Sequence, residues 1–177
     1  MKYNDIKITL NQAENVLFEL FNIKGKITAL PGYVDFNFRI KVENSAGYIL
    51  KISRPNENKN YLDFQQKLLQ FIETNSDITA PKAIPDKNEN YISEIKDKNG
   101  ISRYVRLLTW VSGRVWSSVN PQLEDFRCSL GKQSGSLTKV LQSFDHPEAH
   151  YNFEWDIAQS LWTKDFLHLF SDDKKEI

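Results

Sequence analysis

Residues 34–42, VDFNFRIKV, alternate without a break: Phe36, Phe38, Ile40 and Val42 fall on one side, Asn37, Arg39 and Lys41 on the other. A repeat of two is that of an extended strand, and apolar residues on one face only mark a half-buried antiparallel strand. The next apolar run, YILKI at residues 48–52, follows a loop of hairpin length, ENSAG. In it Tyr48, Leu50 and Ile52 share one face, while Ile49 and Lys51 share the other with Ser53. A cation thus sits between two apolar residues straight after a turn. Taken alone, Lys51 reads as an edge-strand lysine that deters aggregation.

Around this hairpin the pattern changes repeatedly. Thr9 and Gln12 form a T-x-x-Q capping box, and Ala13, Val16, Leu17, Leu20 and Phe21 make one apolar helical stripe that Gly25 ends. KITAL precedes the alternating strand as a first strand. A second helix is expected over about residues 61–75, with Leu62, Gln65, Leu69 and Ile72 inward. Then comes a hairpin turned by Asn99-Gly100, whose second strand, RYVRLLTWV, becomes wholly apolar at its end, as in a central strand. Asn120 is expected to cap a further helix, with Pro121 in its first turn and Leu123, Leu130, Leu137 and Leu141 on its buried face. Gly131 and Gly135 leave room there for a close neighbour, and Cys128 reads as buried. Asp145, His146 and Pro147 end that helix, and residues 152–170 read as one or two more. The layout is α+β: a helix, five antiparallel strands with an intervening helix, then helices only.

Composition narrows the function. Of 177 residues 40% are hydrophobic and 12% aromatic, enough for a real core. Lys plus Arg equals Asp plus Glu at 23 each, which argues against nucleic acid or an anionic membrane as partner. The single cysteine excludes an internal disulfide and leaves a structural zinc site without its partner ligands. Residues 1–10 lack the apolar run of a signal peptide and no stretch is long enough to cross a bilayer, so a soluble cytoplasmic protein is expected.

The layout is that of a kinase amino-terminal lobe. There a lysine on the third strand grips the α- and β-phosphates of ATP, an acid from the following helix holds it, and a loop between the first two strands covers the phosphates. The segments LPGYVDFNFRI, YILKI, YLDFQQKLLQFI, RYVRLLTWVSGR and LQSFDHPEAHYNFEWDI resemble, in order and spacing, the aminoglycoside phosphotransferase and choline kinase superfamily, and within it the hydroxylysine kinase branch. The resemblance runs from Thr9 to about Phe170, and some bacterial relatives in that branch are fused to class III aminotransferases.

What the resemblance implies can be placed on this chain. Lys51 matches the phosphate-binding lysine. The loop of residues 32–37, with one glycine, matches the nucleotide-covering turn and puts Asp35 and Asn37 at the nucleotide. Thr109 and Val111 match the adenine-binding hinge, Thr109 through its carbonyl and Val111 through its amide, with Leu108 lining the pocket. The helix partner of Lys51 is Gln65 where many members carry glutamate. Asp63 is the other candidate, but two residues are about 200° of helix rotation, so both cannot face Lys51. Gln65 is favoured. The implied cofactors are ATP and Mg2+, the latter held by a motif like HGDxxxxN and a later aspartate.

Neither of those motifs occurs here. The histidines are His146, His150 and His168, and none precedes Gly-Asp. In FDHPEAH, Pro147 keeps His146 and His150 off a common helical face, so zinc binding is not expected. No catalytic residue is therefore expected in this chain. It reads as a nucleotide lobe over residues 1–111 followed by the hinge and the start of a truncated helical lobe over 112–177. It would be inactive alone, with apolar surface exposed around Trp162 and a tendency to self-associate. The function expected is transfer of phosphate from ATP to a small hydroxyl compound, an amino alcohol or an aminoglycoside-type substrate. The competing reading is a noncatalytic nucleotide- or protein-binding module that kept the lobe's shape.

Overall fold

The computed structural model describes residues 6–150 and 156–169. Two compact units divide the chain at Asp145 and His146. In the first, helix α1 (Leu10–Phe21) leads into strands β1 (Lys26–Leu30), β2 (Phe36–Lys41) and β3 (Tyr48–Ile52). Helix α2 (Lys59–Asn75), strands β4 (Ala83–Ile84), β5 (Ser93–Lys96) and β6 (Ser102–Thr109), and helix α3 (Glu124–Leu141) follow. The strands form one antiparallel sheet in the order β1-β2-β3-β6-β4, with β5 also paired to β6. Six strands stand where five were expected. The addition is β4, only two residues long and too short to alternate visibly in sequence.

The alternation assigns the faces correctly. Phe36, Phe38 and Ile40 of β2, Leu50 and Ile52 of β3, and Val105 and Leu107 of β6 are buried in one cluster with Ile8, Ala13 and Leu17. Each large side chain so buried contributes about 1.5–3 kcal/mol of hydrophobic stabilisation. The capping box starts α1 as expected: Thr9 Oγ1 accepts from the Gln12 amide at 3.3 Å, and Gln12 Oε1 accepts from the Thr9 amide at 2.9 Å. Gly47 closes the β2–β3 hairpin at φ 78°, a left-handed conformation in which an added Cβ would lie 2.2 Å from the Ile40 carbonyl oxygen.

Two acids tie loops to this core. Asp97 and Arg103 form an ion pair at 2.7 Å with side chains 3% and 0% exposed, and Arg103 also donates to the Ser53 and Ile6 carbonyls. Asp86 Oδ1 accepts from the amides of Asn88 and Asn90, and Oδ2 from the Ser93 hydroxyl. Burial would raise the Asp86 pKa, but these hydrogen bonds outweigh it and hold the group below its ordinary value.

Helix α2 runs from Lys59 to Asn75 and buries Leu62, Gln66 and Ile72, with Gln65 and Leu69 half-buried. Helix α3 departs from expectation. It starts at Glu124 with Leu123, not Asn120, at the cap position. Leu123 and Leu130 are exposed, Leu137 and Leu141 half-buried, and Cys128 is exposed. Nothing lies within 4 Å of a Cβ added at Gly131 or Gly135. Three residues past the end of α3, Phe144 lies 6.1 Å from Phe64 and 5.1 Å from Phe71 of α2, ring to ring. Periodicity reveals which side of a helix is apolar, not whether a neighbour covers it.

The second unit holds a turn of 3₁₀ helix at Pro147–His150 and a longer 3₁₀ stretch at Ile157–Leu169. That stretch is interrupted at Gln159, where α-helix was expected; residues 152–155 of the expected helices lie outside the described residues. Trp162 and Phe166 meet edge to face at 5.8 Å, and Ile157, Leu161 and Leu169 are exposed. Among the described residues no helix is long and apolar enough to cross a membrane.

Candidate functional site

The sheet face opposite α1 carries the polar half of the alternation. Strand register sets Asn37, Lys51 and Arg106 side by side across β2, β3 and β6. Two residues further along each strand, the next row on that face is Arg39, Ile49 and Leu108, extended by Ala83 of β4. The first row is charged and the second, apart from Arg39, apolar. Neighbouring strands lie about 4.8 Å apart, so these side chains can touch.

In the charged row, Lys51 Nζ donates to Asn37 Oδ1 at 2.7 Å and lies 3.1 Å from Asp35 Oδ2. The same carboxylate oxygen accepts from Arg106 Nη2 at 2.8 Å, and Arg106 Nη1 donates to Gln65 Oε1 of α2 at 2.6 Å. Exposure falls from 24% at Lys51 to 10% at Asp35 and 6% at Arg106, so the network deepens away from the lysine. Burial lowers the Arg106 pKa, and the opposing attraction of Asp35, helped by Glu57 and Tyr61, does not cancel it. Arginine keeps its proton in proteins all the same, so a full positive charge is held here.

The loop that delivers Asp35 is tightly folded. Asn37 Nδ2 donates to the Asp35 carbonyl at 3.3 Å, and Arg54 Nη2 donates to the Tyr33 carbonyl at 2.7 Å. A Cβ added at Gly32 would lie 2.3 Å from the Asp35 carbonyl oxygen and 2.4 Å from Asn37 Nδ2. Gly32→Ala is therefore expected to force the loop outward and to cost about 1–3 kcal/mol, read by urea unfolding. Unchanged stability would mean that the loop has room to spare.

At the far end of the face, β6 runs into the segment expected to be a hinge. Thr109 donates its amide to the Lys82 carbonyl at 2.8 Å and accepts the Lys82 amide on Oγ1 at 2.9 Å. The Trp110 amide donates to the Gly47 carbonyl at 2.9 Å, and Val111 is 38% exposed. The Arg39 guanidinium lies 4.0 Å from the centre of the Trp110 ring and donates to the carbonyls of Ile40, Tyr48 and Ala46. Burial pushes the Arg39 pKa down.

One expected contact is replaced. Gln65 bonds Arg106, not Lys51, and the acid beside Lys51 comes from the loop through Asp35. The lysine of β3 is already engaged with β2 and the loop, and the buried guanidinium of β6 fills the space towards α2. Asp63 pairs with Lys67 at 2.6 Å on the outer side of α2. Arg106 is a site residue beyond those expected from the sequence. A signal existed: alternation in RYVRLLTWV puts Arg106 and Leu108 on one face, and Arg106 pairs with Lys51 once the strands are in register. Among the described residues no three His, Cys, Asp or Glu side chains gather as a metal site, the Asp145–His150 segment included.

An antiparallel sheet with a lysine in its third strand and a helix after that strand is the arrangement of the amino-terminal lobe of the protein-kinase-like fold. Two solved structures share the fold. One is an amicoumacin kinase, hAmiN, in complex with AMP-PNP, Ca2+ and Ami (TM-score 0.67, 17% identity, 94% of this chain and 49% of that one). The other is a microcompartment-associated aminopropanol kinase (TM-score 0.66, 18% identity, 90% and 49%). Residues 26–175 match the model of the phosphotransferase enzyme family, APH, and the chain belongs to that family. Hydroxylysine kinases are similar in sequence: that of Mus musculus is 29% identical over 166 residues, covering 82% of this chain and 43% of the relative. That of Danio rerio is 24% identical over 175 residues, covering 92% and 48%. The chain spans about half the length of these relatives.

Proposed function

We propose that this chain is the nucleotide-binding part of an ATP-dependent phosphotransferase that acts on the hydroxyl group of a small compound. An amino alcohol is the favoured substrate class, and aminoglycoside-type compounds are the wider one. The observation that carries the reading is Lys51, held in a charged row on the sheet face that ends at the hinge. Hydroxylysine and aminopropanol, named for the similar proteins, each join an amine to a hydroxyl, which supports the substrate class.

In this reading residues 1–111 form the nucleotide lobe, and residues 112–177 begin the helical lobe. Lys51 anchors the non-transferred phosphates, with Asp35 and Asn37 setting its ammonium and Gln65 acting from α2. The Thr109 carbonyl and Val111 amide take the adenine edge, and Ile49 and Leu108 line its face. Among the described residues no three His, Cys, Asp or Glu side chains gather, and in this reading the magnesium ligands are assigned to a part of the enzyme outside this chain. The base or aspartate that receives the hydroxyl proton is assigned there too, so this chain binds nucleotide without turning it over.

The test is calorimetric titration of the chain with ATP and with adenosine. ATP is expected to bind no tighter than about 1 mM, about −4 kcal/mol, and Lys51→Ala is expected to bring ATP down to the level of adenosine. Tight binding of ATP that ignores Lys51→Ala would overturn the reading.

A further inference from the structure

We infer that α2 sets Lys51 indirectly, through a relay from Gln65 to Arg106 to Asp35, so that the acid orienting this lysine belongs to the 32–37 loop. Asp35, Arg106 and Gln65 are then positioning residues for the phosphates of ATP. The inference rests on reading Lys51 as the phosphate anchor.

Three features of the network carry it. One oxygen, Asp35 Oδ2, faces both cations: it accepts from Arg106 Nη2 at 2.8 Å and forms an ion pair with Lys51 Nζ at 3.1 Å, so moving either cation moves the carboxylate. Arg106 is planar and almost fully buried, and its second nitrogen is fixed by Gln65, which leaves the guanidinium little freedom to turn. Gln65 gives Arg106 a neutral acceptor. A carboxylate there would be a second acid on Arg106, and an apolar residue would leave a buried donor unpaired.

The relay also gives Arg106 a role when nucleotide arrives. Phosphate approaching Lys51 repels the Asp35 carboxylate, and Arg106 holds that carboxylate where it still orients the ammonium. The loop carrying Asp35 is the one that covers the phosphates in this reading. Loop closure and lysine orientation are then one event, and α2 takes part in it only through Arg106.

The experiment reads the acylation rate of Lys51 by trace acetic anhydride, peptide by peptide in a mass spectrometer, on the nucleotide-free chain. Lys67 and Lys82, both more than half exposed, serve as internal references for an intact fold. Asp35→Asn is expected to speed Lys51 labelling about tenfold, the size of one charge-assisted hydrogen bond. Gln65→Leu is expected to speed it as well, although Gln65 makes no hydrogen bond to Lys51, and to add nothing in the Asp35→Asn background. The relay is overturned if Gln65→Leu leaves Lys51 unchanged while Asp35→Asn speeds it, or if the two effects add. ATP at a concentration well above the dissociation constant found by titration separates the two levels of the argument. Failure of ATP to protect Lys51 in the parent chain removes the nucleotide reading and with it the assignment of these residues to phosphates. Protection together with additive variants removes the relay alone.

Discussion

Asp97→Ala is expected to cost about 3–5 kcal/mol of stability, because it strands a buried guanidinium. Arg103 is fully buried, and both its Nε and Nη2 donate to Asp97 Oδ2, at 2.9 and 2.7 Å. Removing the carboxylate leaves that charge facing only the Ser53 and Ile6 carbonyls. It also empties the turn, where Asp97 Oδ1 accepts from the amides of Asn99 and Ile101. Guanidinium unfolding of Asp97→Ala against the parent chain measures the loss. The double variant Asp97→Ala/Arg103→Met should recover much of it, since an apolar pair avoids burying an unpaired charge. A loss below about 1 kcal/mol would place the pair with exposed salt bridges instead.

The same pair sets a pH dependence. Burial alone would raise the Asp97 pKa. The Arg103 hydrogen bonds, the two turn amides and the Arg103 charge outweigh it, and the folded value lies below the ordinary one. A depressed carboxylate contributes stability that is fully present above its unfolded value, about 3.9, and is lost as pH falls through the folded value. The parent chain should therefore lose stability in acid more steeply than Asp97→Ala does.

Lys51→Ala, placed in the phosphotransferase of which this chain is proposed to form half, is expected to lower kcat/KM by about 10²–10³, the usual cost of one preorganised charge donor. Positioning and electrostatic stabilisation supply nearly all of phosphoryl-transfer catalysis. An ATP-consumption assay offering hydroxylysine, ethanolamine, choline, homoserine and an aminoglycoside measures it, with the 177-residue chain alone run beside the longer protein. Turnover by the short chain above its Lys51→Ala background would show that catalytic residues lie within it. Silence of the longer protein on every alcohol would favour a noncatalytic binding module.

Much of this lobe is legible without coordinates. The Thr9 capping box, the turn at Asn99-Gly100 and the faces of β2 and β3 depend on residues within a few positions of one another, and local sterics decide them. The direction of Lys51, away from Leu50 and Ile52, follows from strand geometry alone. The family was legible as well, through the resemblance of its segments, and residues 26–175 match the family model. The partners of Lys51 do not follow. Asp35 and Arg106 stand 71 positions apart, Gln65 and Arg106 41, and Arg103 reaches the Ile6 carbonyl across 97. Such pairings are decided by strand register and by how far a helix stands from the sheet, quantities set by packing of the whole core. A helix face predicts direction but not distance, so Gln65 turns towards the row of Lys51 while the intervening guanidinium of β6 takes its bond. The same limit explains α3, where the apolar stripe was legible but its cover was not. Sequence alone determined the long strands, the first two helices and which way the lysine points; only the tertiary structure decided what holds it, because an ion pair is chosen by proximity in space and its cost by burial.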